Sequence, residues 1–240
     1  MNPWQVWIAA AAFLCGGVMP LRADLVIVQK VEESGSRRPP AEIVIKVKGP
    51  KLRADLSPEI SILMDTATGE TTTLCHDRKT CLVLSGSATR RLQEQIRQLQ
   101  GTARQAAAAD ASPAVQLTAT GRHEPIGGRD ADIYTAENGA VKITWWIAKK
   151  GGDWEKYLPQ LAPLQRAPMV QLAAGLGFLP AGLDLPGLAL KTELNAPDGR
   201  RIATTLLAIR EEPIENGDFA VPPGYHAIAE PSFGTPLTSP

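Results

Sequence analysis

The sequence predicts an α+β fold in which a long antiparallel meander sheet, with too many strands to stay flat, is interrupted by two helical segments. Period-two alternation is the first observation. In Glu42–Lys48, Ile43, Ile45 and Val47 share one face while Glu42, Lys46 and Lys48 share the other. Ile60, Ile62 and Met64 repeat the pattern, as do Val141 to Ile147 and Ile202 to Ile209. Short turns are the second. Thr68-Gly69, Asn138-Gly139 and Pro197-Asp198-Gly199 supply the backbone angles of tight hairpins, so consecutive strands run antiparallel, about eight to eleven in all. The third is where alternation fails, between Ser87 and Ala109 and between Asp153 and Pro186.

In the first interruption Leu92, Ile96, Leu99 and Ala103 recur at helical spacing with no proline between them. Its other side carries Arg90, Arg91, Arg97 and Arg104 against Glu94, read either as a solvated face or as a contact with an anionic lipid surface. The second interruption is the most apolar part of the chain after residue 23. Pro159, Pro163, Pro168, Pro180 and Pro186 limit its helices to two or three turns. Its leucines fit an ordinary core flap, and they equally fit short helices lying over the mouth of a curled sheet that shift to admit an apolar ligand.

Residues 1–23 have the form of a secretory signal. Trp4 to Met19 carries no charge, Pro20 breaks the run, and cleavage is expected between Ala23 and Asp24. The alternative is an uncleaved anchor, although about 16 uncharged residues fall short of the roughly 20 that a spanning helix needs. Removal of this segment leaves 24 Lys and Arg facing 25 Asp and Glu. Such a chain has no field to attract a polyanion, which argues against a nucleic-acid partner. The expected product is one soluble periplasmic domain over residues 24–226, with Pro231, Gly234, Pro236 and Pro240 marking a loose tail over 227–240.

Cys75 and Cys81 flank Asp77-Arg78-Lys79, which reads as the turn between strands Thr71–Leu74 and Leu82–Leu84. A three-residue turn places the two cysteines opposite each other, and an oxidising compartment would then join them in a disulfide. Metal binding with His76 and Asp77 is the alternative, but a fourth ligand and the short cysteine spacing of zinc knuckles are missing. No metal and no cofactor is expected.

Three segments together resemble a known family: Leu25-Val26-Ile27-Val28, Met64-Asp65-Thr66-Ala67-Thr68-Gly69-Glu70, and Phe219-Ala220-Val221-Pro222-Pro223-Gly224-Tyr225, with Leu185–Leu190 before a late hairpin. They are similar to uncharacterised bacterial envelope proteins of the lipoprotein-carrier (LolA-like) superfamily. The resemblance implies a sheet curled into an incomplete, half-open β-barrel around an apolar cavity, with helices across the opening. The best-known members carry lipoprotein acyl chains through the periplasm.

Catalytic signatures are lacking. There is no phosphate-cradling glycine loop, no Gly-x-Ser-x-Gly elbow and no His-Glu-x-x-His helix, and none of His76, His123 and His226 has a nucleophile in register. The expectation is a non-enzymatic periplasmic protein that binds or carries an acyl-chain or lipid-type ligand. Its candidate pocket combines Trp145 on the strand face with Leu158, Leu161, Leu164, Met169, Leu172 and Leu176. The alternative is an envelope structural or protein-interaction domain with a filled interior. Partners on these readings are an apolar small molecule or lipid, or an envelope protein, with membrane contact but no span.

Overall fold

Each alternating segment becomes a strand in the computed structural model, which describes residues 24–36, 39–91, 94–95, 116–138, 141–159, 161 and 185–228. In chain order the strands are β1 (Leu25–Ser34), β2 (Ala41–Lys48), β3 (Lys51–Ser57), β4 (Ile60–Asp65), β5 (Thr71–Cys75) and β6 (Thr80–Leu84). After the first interruption come β7 (Thr118–Ile126), β8 (Arg129–Asn138), β9 (Val141–Ala148), β10 (Ala189–Asn195), β11 (Arg201–Glu211) and β12 (His226–Ile228). All twelve join one sheet in the order β12-β6-β5-β4-β3-β2-β1-β11-β10-β9-β8-β7. β1 and β11, far apart in sequence, pair antiparallel at its middle. β12 is the exception to antiparallel pairing, running parallel to β6.

The α+β fold with a half-open barrel and helices across its opening is therefore corrected. Strands dominate the regular structure of the described residues, and the sheet is open, with β12 and β7 as free edges. Neither edge is built to template closure. β7 is exposed along most of its length, loses register between Ala119 and His123, and contains Pro125, which has no N–H to donate. β12 offers three residues. Of the first interrupting segment, residues 86–91 and 94–95 are helical, while 92–93 and 96–115 lie outside the described residues. Of the second, Asp153–Tyr157 forms a 3-10 helix, and residues 160 and 162–184 lie outside. The expected signal, residues 1–23, and all of the expected tail beyond Ile228 lie outside as well. Among the described residues no helix is long and apolar enough to cross a membrane.

Three apolar clusters, two of them adjoining, hold the β1 and β7–β11 side together. The first joins Trp146, Ala131, Ile133, Ala148 and Leu190 to Trp154 of the 3-10 helix, and the second joins Leu25, Ile27 and Val47 to Leu161. Tyr157, Leu188 and Leu206 touch both. Lys156 fastens the same helix to β11 through Glu211 at 2.9 Å, and this hydrogen bond holds the Lys156 ammonium above its usual titration range. The third cluster packs Ala136, Ile143, Trp145 and Ile147 together. Trp145 and Trp146 are neighbours in the chain, so the pleat sends them to opposite faces of β9, and both are buried.

The disulfide is also corrected. Cys75 pairs with Thr80 and Cys81 with Leu74, so the two cysteines lie on opposite faces, and both thiols are free. The cause is loop length. Four residues, His76–Lys79, form the turn instead of three, with Lys79 in the left-handed region at φ 48°. One extra residue slips the register by one and turns every following side chain over. Thiol titration of the denatured, unreduced protein is expected to find Cys75 and Cys81 both reactive, and a protected pair would reject this register.

Candidate functional site

Pairing across the first six strands aligns side chains in rows on one face. One row runs Ile27, Ile45, Ala54, Ile62, Thr73, Leu82, and its neighbour runs Leu25, Val47, Leu52, Met64, Thr71, Leu84. Ten of these twelve side chains are apolar and two are threonine, so the face spans five inter-strand spacings, about 24 Å, without a charge. Leu25, Ile27, Val47, Met64 and Thr71 are buried, whereas Ile45, Leu52, Ala54, Ile62, Thr73 and Leu82 are only half-buried.

Against this face the expected pocket residues divide. Leu161 packs on Leu25, Ile27 and Val47 at one end of the rows, and Leu158 packs on the adjoining Trp146 and Trp154 cluster. Trp145 sits in the separate cluster with Ile143 and Ile147. Leu164, Met169, Leu172 and Leu176 lie outside the described residues.

The opposite face of β2–β6 is crossed by a strap, residues 212–225. Asp24 accepts from the Ile214 N–H at 3.0 Å and pairs with Lys48 at 3.0 Å, while the Lys48 ammonium also donates to the Ile214 carbonyl. Asp218, in a second 3-10 helix (Asn216–Phe219), pairs with Lys46 at 3.1 Å, and its carbonyl accepts from Arg53 at 3.0 Å. Between strap and sheet lies a pocket of about 210 Å³. Leu63, Phe219 and Val221 line it together with the charged residues Lys51, Asp65 and Glu70, and Leu52, Met64 and Thr72 of the sheet complete the lining.

Where the strap ends, Tyr225 packs on Leu63, Leu74 and Cys81 and meets a side-chain chain that no local motif announces. The Ser61 hydroxyl donates to Asp55 at 2.6 Å, and Arg53 donates to the same carboxylate oxygen at 2.7 Å. His76 Nε2 stands 2.7 Å from Ser61 Oγ, and His76 Nδ1 contacts the Tyr225 hydroxyl. Ser61 has one proton and gives it to Asp55, so Nε2–H donates to Ser61, and with the imidazole neutral Nδ1 accepts from Tyr225. Every donor then points toward the carboxylate. A nucleophile needs the reverse, with an imidazole accepting the hydroxyl proton, and Ser61 is only 1% exposed. The arrangement is a clamp on the strap. Sequence reading missed it because Tyr225 is 149 positions from His76 and meets it only through the strap's path. Tyr225→Phe, which leaves Nδ1 without its donor, is expected to lower stability by about 1 kcal/mol in chemical denaturation, while Asp55→Ala, which strips Ser61 and Arg53 of their shared acceptor, should cost more, about 1–3 kcal/mol.

Both the apolar rows from β2 onward and the strap through Tyr225 fall within residues 41–225, the span matched by the model of the DUF4412 family, a domain of unknown function. The chain belongs to the DUF4412 family. No curated protein sequence matches it. Among solved structures this DUF4412 chain is similar to PNGF-II in two crystal forms. They are 12% and 10% identical, with TM-scores of 0.40 and 0.41, over 85% and 86% of this chain but 30% and 31% of theirs. It thus spans about three tenths of those proteins. A LolA superfamily protein from Nitrosomonas europaea is 8% identical with a TM-score of 0.32, covering 84% of this chain and 91% of that one. These likenesses are too weak to carry function to the DUF4412 chain. Among the described residues no group of three or more His, Cys, Asp or Glu is placed to hold a metal ion.

Proposed function

We propose that the protein is a non-enzymatic periplasmic binder or carrier of an acyl-chain or lipid-type ligand, held against the two apolar rows of β1–β6. The observation behind this reading is the uncharged face described above, whose central row is half-buried from Ile45 to Leu82. An acyl chain laid across the strands would cover the half-buried Ile45, Leu52, Ala54, Ile62 and Leu82 and gain about 25 cal/mol per Å² of apolar surface withdrawn from water. Leu161 packs on Leu25, Ile27 and Val47 at one end of the rows.

Titration of the purified protein with a fluorescent fatty-acid probe is expected to saturate. Ile62→Glu and Leu82→Glu, each placing a charge in the half-buried row, should weaken the probe by tenfold or more. Leu207→Glu, at a position already 44% exposed, should leave it unchanged. Absence of saturable binding by the folded protein would overturn the proposal, as would equal binding by all variants. Co-purification of an envelope protein in place of lipid would favour an interaction domain instead.

A further inference from the structure

The strap pocket lies on the other face of β3–β5 from the apolar rows and calls for a different ligand. We propose that it binds a single zwitterionic α-amino acid with an apolar side chain. Size restricts the choice first. At about 210 Å³ the pocket falls below the roughly 300–1,000 Å³ of sites for drug-sized molecules and is scaled to one small metabolite.

Chemistry restricts it further. Leu63, Phe219 and Val221 supply an apolar lining, which suits an aliphatic or aromatic side chain and not an inorganic ion. The rim then offers both signs of charge. Lys51 and Glu70 both line the pocket and are exposed, and neither forms an ion pair with a described residue. Asp65 lines it too, but its Oδ1 is engaged by the N–H groups of Ala67 and Thr68 at 2.8 and 3.1 Å. A free ammonium for an α-carboxylate and a free carboxylate for an α-ammonium, beside an apolar wall, match the three parts of such an amino acid. The wall stands ready before any ligand arrives, because Asp218, next to Phe219, is tied to Lys46 and Arg53.

Equilibrium dialysis of the purified chain against radiolabelled L-leucine tests this, with three unlabelled competitors. These are 4-methylpentanoate, which lacks the ammonium, 3-methylbutylamine, which lacks the carboxylate, and N-acetyl-L-leucinamide, which lacks both charges. Saturable retention of leucine is expected, with each single-charge analogue about tenfold weaker and the neutral one weaker still. Val221→Trp should fill the pocket and abolish retention without changing the melting temperature, since Val221 is 40% exposed. Lys51→Gln should weaken leucine while leaving 3-methylbutylamine unchanged, because only leucine carries the carboxylate that Lys51 would meet. No retention at millimolar leucine overturns the proposal, as does retention untouched by Val221→Trp. Competition by N-acetyl-L-leucinamide equal to leucine also overturns it, and would assign the pocket to a side chain of a polypeptide partner docking beside exposed Val83 and Val221. Fatty-acid binding to the opposite face should be unaffected by either variant.

Discussion

Trp154→Ala is expected to destabilise the fold by about 3–5 kcal/mol, the usual cost of emptying a buried aromatic site. Trp154 is 5% exposed, and it is the side chain by which the 3-10 helix enters the cluster of Trp146, Leu190, Ala131 and Ala148. Its surroundings cannot collapse into the space easily. Gly187 lies so close that a Cβ there would stand 3.2 Å from the Trp154 ring, and a Cβ on Gly152 would meet its Nε1 at 2.3 Å. The backbone is thus already drawn in around the indole, and its removal leaves a void and not a gap that neighbours can fill. Urea denaturation of Trp154→Ala beside Leu207→Ala, an exposed control, gives the comparison. A loss below about 1 kcal/mol would mean that the 3-10 helix unfolds separately from the sheet.

Gly86→Ala is expected to cost about 1–3 kcal/mol despite adding only one methyl group. The new Cβ would lie 2.0 Å from the carbonyl oxygen of Thr68, and main chain must move to admit it. That turn is poorly able to yield. Asp65 Oδ1 binds two of its N–H groups, and Gly69 N–H donates to the Asp65 carbonyl at 2.7 Å. The helix beginning at residue 86 is equally fixed, since Ala88 and Thr89 are 3% and 2% exposed. Thermal melting of Gly86→Ala with Gly199→Ala as a comparison would separate crowding from backbone preference. Gly199 has open space around it but a φ of +83°, so its cost comes from conformation alone.

The strands were legible in the sequence because their apolar residues alternate, and a residue buried on one face imposes that alternation whatever its partner strand. β2, β4, β9 and β11 follow directly from Ile43, Ile62, Trp145 and Ile202 with their neighbours two apart. Pairing was less legible. A turn of three residues and one of four look alike around Asp77-Arg78-Lys79, yet they place Cys81 on opposite faces, and only the left-handed Lys79 reveals which turn formed. Long-range partners left no local trace at all. Ser61 reads as the polar interruption of an apolar strand, and Tyr225 as part of a proline-rich ending, until the strap brings both to His76. The open edges were hidden for a similar reason. Closure depends on twist accumulated over many strands, and no window of residues encodes it.

The central pairing of β1 with β11 sets an order of events for a chain that emerges from its N-terminus. Hairpins β2 to β6 have their partners close behind them, but β1 can saturate its second edge only when residues 201–211 arrive, after nearly all the other strands have been made. Until then Leu25, Ile27 and the exposed ladder groups beside them are a sticky template for any other extended polypeptide. Acquisition of the native state should therefore be slow, limited by the closing of one very large loop, and most prone to clumping in the interval before that final zipper shuts.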